Sequence, residues 1–212
     1  MLQESVPPIT LFDFSRKDDI LDFENKEWRE GDDGDIGGFS SAKAEIIHSE
    51  VEGDEVTSFL RWKGNLNNTI PDSGKVVRSG YCAIQSPLFP FGGVDLNEWD
   101  AILLKCRLSQ PRTYMLNIKA ETFIPEDLYH GIFPRENPAI HPLKPSNEAT
   151  PGEWMSYILP FDTFLVSNRG RSKEVPQKMD SVKVENVVSV FVLYFSLSHF
   201  RSNINLIKRG LP

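Results

Sequence analysis

A succession of short segments with strand-like patterning is the feature that most limits how this sequence can fold. In the clearest of them, Tyr114–Glu121, the residues Tyr114, Leu116, Ile118 and Ala120 share one face. A period of two is typical of a strand with one buried face. Similar segments, separated by Gly, Pro, Asn and Asp, are Ile9–Phe14, Thr57–Lys63, Tyr81–Gln85, Ala101–Leu108, Trp154–Leu159, Val187–Leu197 and Ile204–Lys208. This pattern predicts an all-β fold, a sandwich or jelly roll.

Two segments depart from this pattern. Asp18–Trp28 favours a short amphipathic helix of one or two turns. Residues 125–153 hold six of the 15 prolines of the chain, and proline fixes φ and removes a backbone donor. We therefore expect a proline-rich loop at about 125–153 and no central strand there. With this loop included, residues 1–212 are expected to form a single domain.

Length and charge exclude several classes of protein. The 212 residues are 40% hydrophobic and 25% charged, which is ordinary globular composition. A net charge of −7 argues against nucleic-acid binding, and residues 1–55 carry 16 acidic against 5 basic residues. This acidic segment suggests either a surface that steers a partner or a solvated stretch that aids solubility. The most apolar run, Val187–Leu197, is about half as long as a membrane-spanning helix.

Motifs of catalysis and of cofactor binding are not recognisable in the sequence, so neither an enzyme nor a cofactor is expected. The four histidines are scattered. His130 and His141 could meet within the proline-rich segment, but an exposed loop histidine without a role is the simpler interpretation. Cys82 and Cys106 are expected to be buried thiols, because each lies in a predicted strand.

The carboxylates of Asp32, Asp33 and Asp35 form the densest acidic cluster. Measured from Asp33, the calcium-loop pattern fails, because its fifth position is Gly37 and its twelfth is Ala44. Two interpretations remain open. The cluster either holds a structural Ca²⁺ with the help of backbone carbonyls, or it builds a tight turn of Asp and Gly.

Aromatic and arginine residues offer the remaining candidates for binding. Trp28, Trp62, Trp99 and Trp154 are expected to pack in the core or at its rim, with a sugar-binding face as the alternative. Arg169 and Arg171 flank Gly170 in a predicted turn. Such a turn suits either a carboxylate or phosphate ligand, or a plain surface role.

Taken in order, the motifs of the chain resemble those of the 30-kDa complex I intermediate-associated protein family. The resemblance covers about residues 9–210, and its details are most similar to the animal-type mitochondrial branch. The stretches that carry it are Asp33–Ser40 (DGDIGGFS), Gly64–Leu66, Arg78–Ala83 (RSGYCA), Asp95–Leu96 with Trp99–Ile102, Tyr114–Lys119, and Trp154–Arg171 with its SNRGR end. One departure is the segment His199–Asn205, which stands where the family has a Gly-Pro-Phe turn and an acidic strand.

The resemblance implies a galactose-binding-domain-like jelly roll and a non-enzymatic chaperone for mitochondrial respiratory complex I. The implied partners are membrane-arm subunits of complex I and other assembly factors, including an acyl-CoA-dehydrogenase-like protein. The implied location is the mitochondrial matrix or the matrix face of the inner membrane, peripheral to the bilayer, although no presequence is visible in this numbering. A carbohydrate-binding module of jelly-roll type is the alternative function.

A partner-binding surface is expected on the loops. Tyr129 and Phe133 precede most of the prolines of the 125–153 segment, and a stiff loop loses little entropy when it docks. Aromatic and arginine residues are the commonest hot spots of interfaces. We therefore expect Tyr129, Phe133, Arg169 and Arg171 to contact a partner.

Overall fold

The computed structural model describes residues 8–25, 28–50, 56–72, 79–89, 93–97, 99–108, 114–120, 124, 126–133, 154–168, 171–172, 183–192 and 199–207. Its strands are β1 (Ile9–Asp13), β2 (Arg29–Asp32), β3 (Ser41–Glu50), β4 (Val56–Asn65), β5 (Tyr81–Gln85), β6 (Val94–Asp95), β7 (Ala101–Arg107), β8 (Tyr114–Ala120), β9 (Asp127–Phe133), β10 (Trp154–Pro160), β11 (Leu165–Asn168), β12 (Arg171–Ser172), β13 (Lys183–Val192) and β14 (His199–Ile207). One α-helix, α1 (Lys17–Glu24), and 3₁₀ helices at Asp33–Ile36 and Phe161–Thr163 complete the described elements.

The strands form a sandwich of two antiparallel sheets. The smaller sheet has the order β1-β14-β7-β10. The larger sheet has the order β12-β11-β9-β8-β13-β5-β2, with β6 paired to β13, and β3 and β4 form a separate hairpin. Apolar side chains of both sheets and of the hairpin pack into one buried cluster. Each sheet packs one of its faces into the core. Successive side chains along a strand therefore point alternately into the core and to the outer face of the sheet.

Strand β8 shows this alternation most clearly. Tyr114, Leu116, Ile118 and Ala120 are at most 3% exposed and face the core, as predicted. The opposite face carries Asn117, which is also buried, at 1% exposure. A buried amide on the face away from the core indicates that polar neighbours surround it, because buried polar groups need hydrogen-bond partners.

The main difference from the sequence-based expectation is β9, which occupies the beginning of the predicted proline-rich loop. It pairs with β8 on one side and with β11 on the other, so it is an internal strand. The expectation of no strand in 125–153 is wrong here because the prolines stand outside β9, at Pro125 and from Pro134 onward. Residues 134–153 lie outside the described part of the chain.

All four tryptophan side chains are buried or half-buried against other parts of the protein. Trp62 and Trp99 are 3% and 5% exposed in the core. Trp28 is half-buried beside Phe12, with ring centroids 4.9 Å apart. Trp154 is half-buried against the ring of Phe59 on β4, with centroids 5.8 Å apart. The packing interpretation is therefore confirmed, and the tryptophan face expected of a sugar-binding module is not found. No helix in the described part of the chain is long and apolar enough to cross a membrane.

Candidate functional site

Two of the four predicted partner-binding residues lie in the core. Tyr129 is 0% exposed and Phe133 is 1% exposed, because both belong to the inward face of β9. The Phe133 ring lies 5.8 Å from that of Tyr114 in the same sheet and 5.7 Å from that of Tyr157 in the smaller sheet. The prediction that Tyr129 and Phe133 are exposed on a loop is wrong. The Phe133 ring joins the two sheets, and a buried side chain cannot contact a partner of the folded protein.

Of the two predicted arginines, Arg171 lies on β12, at the edge of the larger sheet. Strands β11 and β12 are antiparallel neighbours, with Asn168 opposite Arg171 and Ser167 opposite Ser172. The intervening residues Arg169 and Gly170 lie outside the described residues. The described residues of the SNRGR motif therefore lie on two paired strands, at what we call the β11–β12 turn, and a partner-binding role for Arg169 and Arg171 remains a prediction.

Strand β11 is attached to β9 through the first two residues of the motif. The amide Nδ2 of Asn168 donates to Oδ1 of Asp127 at 3.0 Å, and Asp127 is buried at the start of β9. Ser167 is bonded to His130, the outward-facing residue in the middle of β9. These two bonds fix the end of β11 to β9, in addition to the backbone pairing of the two strands.

A polar row crosses three strands on the outer face of the larger sheet. His130 Nδ1 bonds to Oδ1 of Asn117 on β8, and His130 Nε2 bonds to Oγ of Ser167 on β11. Since a carbonyl oxygen only accepts, Nδ1 carries the proton, and Nε2 of the neutral ring accepts from the serine hydroxyl. Burial lowers the pKa of the His130 imidazole below its ordinary value of 6.5, so the ring is neutral at pH 7.

This row stiffens the outer face. Asn117 and Ser167 are 1% and 5% exposed, so their hydrogen bonds with His130 are shielded from water and specify one arrangement of three neighbouring strands. Beside the row, Leu165 on β11 is 51% exposed and presents apolar surface. We refer to Asn117, His130, Leu165 and Ser167 as the outer face. Of these four side chains, Leu165 contributes the apolar surface that is open to solvent.

A glycine in β9, Gly131, allows the ring of Phe164 to pack closely against this strand. A Cβ atom on Gly131 would lie 2.6 Å from the ring of Phe164, which closes over the strand from the start of β11. Any larger residue at this position would push the ring away. Gly131 therefore permits the close approach of Phe164 that packs the beginning of β11 against β9.

The role of His130 was missed by the sequence-based interpretation, which treated it as an exposed loop residue. The available signal was the alternation within Asp127–Phe133, in which His130 falls between two inward-facing residues. Its bonds to Asn117 and Ser167 depend on the register of β9 against both neighbours, which the sequence does not reveal.

The acidic cluster forms a second organised region, at the junction of β2 with β3. The Asp33 carboxylate is 0% exposed and accepts from the Ser40 backbone N–H at 2.7 Å, the Ser40 hydroxyl at 2.9 Å and the Gly80 N–H. Burial opposes ionisation of Asp33, but these hydrogen bonds outweigh it and lower the pKa of the carboxyl below its ordinary value of 3.8. Asp33 thus ties residues 33–40 to the segment before β5.

The tight-turn interpretation of this cluster accounts for its geometry. Oδ1 of Asp32 accepts from the Gly34 N–H at 2.9 Å, and Oδ2 accepts from the Ala42 N–H at 2.8 Å. The 3₁₀ helix then ends at Gly37, whose φ of 92° favours glycine. Protein donors therefore engage all four carboxylate oxygens of Asp32 and Asp33. Among the described residues, no group of three or more His, Cys, Asp or Glu side chains could hold a metal ion.

Both cysteines are buried free thiols, as predicted. Burial, with smaller contributions from the nearby carboxylates, raises the pKa of Cys82 to about 12, and burial also raises that of Cys106. Because the thiolate is the reactive form, neither residue is poised as a nucleophile at neutral pH.

Solved structures with a similar fold come from carbohydrate-binding modules. The family 11 module of Clostridium thermocellum in complex with a β-1,3-1,4-mixed-linked tetrasaccharide has a TM-score of 0.59 and 14% identity, and the match covers 97% of this chain and 98% of that one. The family 11 module of a cellulosomal cellulase from the same organism has a TM-score of 0.59 and 15% identity, with 97% and 96% covered. At this identity the likeness concerns the fold alone, and it confirms the jelly-roll, galactose-binding-like sandwich.

Sequence comparison points to one family. A curated relative, the mitochondrial complex I intermediate-associated protein 30 of Neurospora crassa, is 22% identical over 137 residues, which are 61% of this chain. The chain spans 44% of the length of that relative. The model of the complex I intermediate-associated protein 30 family matches residues 12–193, from β1 to the end of β13. The chain therefore belongs to the complex I intermediate-associated protein 30 (CIA30) family.

Proposed function

We propose that this chain is a non-enzymatic assembly factor for mitochondrial respiratory complex I. In this role it holds membrane-arm intermediates together with other assembly factors, one of them an acyl-CoA-dehydrogenase-like protein. The observation that carries the proposal is the family match over residues 12–193, which includes the whole larger sheet, strands β7 and β10 of the smaller sheet and the SNRGR motif. The name of the Neurospora crassa relative supports a mitochondrial location, and we propose that the chain works at the matrix face of the inner membrane.

The structure suggests how such a factor would act without chemistry of its own. A sandwich core fixes the outer face, and the polar row of Asn117, His130 and Ser167 holds β11, the strand on which the SNRGR motif begins. A surface that is ordered before binding loses less conformational entropy when it docks. We propose that Arg169 and Arg171 contribute the charged contacts of this surface and that Leu165, 51% exposed, contributes an apolar one.

Affinity purification from mitochondria, followed by mass spectrometry, tests this proposal. The wild-type chain should recover membrane-arm subunits of complex I and fellow assembly factors. The double variant Arg169→Ala/Arg171→Ala should recover roughly tenfold less of them, which corresponds to about 1.4 kcal/mol of binding free energy.

A matched control separates a local effect from a general loss of positive charge. Arg29 and Arg107 are exposed on β2 and β7, away from the turn, so Arg29→Ala/Arg107→Ala removes the same charge elsewhere. Equal losses in both double variants would reject the turn as the contact. If the wild-type chain recovers no complex I component, the assembly role itself is rejected.

A further inference from the structure

Strand β3 has a neighbouring strand along only one of its two edges. In the described part of the chain it pairs with β4 alone, and the register runs without a shift over the whole strand. At the other edge, the N–H of Ala42 donates to Oδ2 of Asp32 at 2.8 Å. The N–H of Ala44 donates in the same way to Oε1 of Glu30. Two carboxylates of β2 therefore occupy the places where a neighbouring strand would put its carbonyl oxygens.

This second edge of β3 stays open beyond Ala44. In an antiparallel sheet, the N–H and C=O of one residue point to the same edge, and those of the next residue point to the opposite edge. Since Ala42 and Ala44 donate away from β4, the backbone groups of Ile46 and His48 point away from β4 as well. No strand among the described residues pairs with them there. An unpaired edge of this kind is a template for another strand.

A cavity of about 510 Å³ adjoins the open edge, and its volume is in the range of ligand-binding pockets. Its lining comes from α1, from β2 with the residue that precedes it, and from β3, and includes Phe23, Glu24, Trp28, Glu30, Ile46 and His48. The cavity therefore separates α1 from the part of β3 whose backbone groups are unpaired. We refer to the open edge at Ile46 and His48, together with this cavity, as the β3 groove.

The lining of the β3 groove favours a basic side chain. Phe23 and Trp28 contribute aromatic rings, and the faces of such rings attract cations. Glu24 and Glu30 contribute carboxylates, which bind Arg and Lys. Neither carboxylate forms an ion pair with a described Lys or Arg, whereas Glu45, which also lines the cavity, is paired with two basic residues of β4.

The charge of the surrounding chain has the same sign. Residues 1–85 contain α1, the strands β1 to β5 and all the connections between them. They carry 17 Asp and Glu against 9 Lys and Arg, a net charge of −8, whereas the remaining 127 residues carry 13 against 14, a net charge of +1. This part of the protein therefore attracts a basic segment, and it repels both a second copy of itself and the anionic surface of a membrane.

We propose that the β3 groove binds an extended segment of a protein partner that carries Arg or Lys. The segment adds to the edge of β3 as a strand and pairs with the backbone of Ile46 and His48, while a basic side chain enters the cavity. In this mode the main-chain hydrogen bonds supply affinity and the pocket supplies specificity. The inference goes beyond the proposed function, because it states the chemistry of the segment and does not depend on complex I being its source.

The test is a selection of random ten-residue peptides, displayed on phage, for binding to the full chain. Enriched peptides are then titrated as labelled free peptides against two variants. His48→Pro removes the N–H at the open edge, and His48→Ala is the matched control, because both variants lose the side-chain bond of His48 to Ser58 at 2.9 Å. We expect the enriched peptides to contain Arg or Lys and to bind His48→Pro roughly tenfold more weakly than His48→Ala.

A second pair of variants tests the carboxylates. Glu24→Gln/Glu30→Gln removes two charges from the cavity and keeps an oxygen that can accept from Ala44. Asp35→Asn/Asp72→Asn removes two charges from exposed residues that do not line the cavity. The first variant should bind the enriched peptides roughly tenfold more weakly than wild type, and the second should bind them nearly as wild type does. Peptides in which Gln replaces the basic residue should no longer distinguish the two variants.

The open edge is also tested without any ligand. In the free wild-type chain, hydrogen exchange followed by NMR should be faster at the N–H groups of Ile46 and His48 than at those of Glu45 and Ile47, which point toward β4. His48→Pro should melt close to His48→Ala, because proline is tolerated where the N–H of an edge strand is unpaired. If His48→Pro does not fold, or if Ile46 and His48 exchange as slowly as their neighbours, the edge is closed and the proposal is overturned.

The binding results overturn the proposal in three other ways. These are equal affinity of the enriched peptides for His48→Pro and His48→Ala, enrichment of peptides that lack Arg and Lys, and the absence of any enriched peptide. Self-association of the wild-type chain that His48→Pro abolishes would assign the edge to a second copy of the chain instead. None of these results bears on the assembly role, which is tested separately by the recovery of complex I components.

Discussion

Replacing Phe133 by Ala tests whether β9 is a core strand or part of a binding loop. Phe133 is 1% exposed and contacts the rings of Tyr114 and Tyr157 at centroid distances of 5.8 and 5.7 Å. Removing such a ring costs its transfer free energy and leaves a cavity between the sheets, and Phe→Ala changes of this kind cost about 3–5 kcal/mol. For a chain of this size, each kcal/mol lowers the melting temperature by roughly 2–4 °C, so we expect a decrease of roughly 6–20 °C.

Thermal unfolding followed by circular dichroism measures this decrease. Leu165→Ala is the matched control, because Leu165 is 51% exposed on the neighbouring strand β11 and should cost no more than about 0.5 kcal/mol. Binding to membrane-arm intermediates should fall only in proportion to the unfolded fraction of Phe133→Ala. An unchanged melting temperature combined with a loss of binding would refute the core position of Phe133 and restore the loop interpretation.

Three further predictions concern the buried carboxylate and the glycine of β9. Asp33→Asn replaces an accepting oxygen by an amide donor that faces N–H groups. A denaturant titration should therefore show that the free energy of unfolding falls by about 3 kcal/mol. The pKa of Asp33 in the folded protein lies below its ordinary value of 3.8. The ionised carboxylate therefore stabilises the fold above about pH 4, and this stabilisation is lost as the pH falls through the folded pKa. Melting temperatures in acid should therefore fall more steeply for wild type than for Asp33→Asn, and parallel curves would contradict this. Gly131→Ala places a Cβ atom 2.6 Å from the Phe164 ring and should cost about 1–3 kcal/mol in the same titration, whereas an unaltered midpoint would reject the close contact.

Local patterning was sufficient to predict most of the sandwich. Strands β5 and β8 are found where alternation and turn residues placed them, and the inward face of β8 was predicted residue by residue. The strand β9 was not predicted, because the high proline content of residues 125–153 was taken to exclude a strand from the whole segment. The exclusion of proline from a central strand applies to the residues of the strand itself, and β9 contains none.

The candidate sites were less predictable, because they depend on contacts between distant parts of the chain. The bond between Asp33 and Gly80 joins residues 47 positions apart, and that between His130 and Ser167 joins residues 37 positions apart. Motif reading identified both stretches, DGDIGGFS and SNRGR, but it suggested a calcium site as one interpretation of the first. Only the fold shows that Asp33 is a buried anchor and that Ile36 and Phe39 of its loop are exposed.

The assembly role is tested most directly by separating native mitochondrial complexes by size, with and without this chain, and identifying their subunits by mass spectrometry. The account predicts that loss of the chain lowers mature complex I and leaves membrane-arm subunits in smaller, stalled complexes. In the wild type, the chain itself should migrate with those intermediates and not with the mature enzyme. Re-expression of the wild-type chain should restore assembly. Normal amounts of mature complex I without the chain, in cells that have no related protein to replace it, would contradict the account.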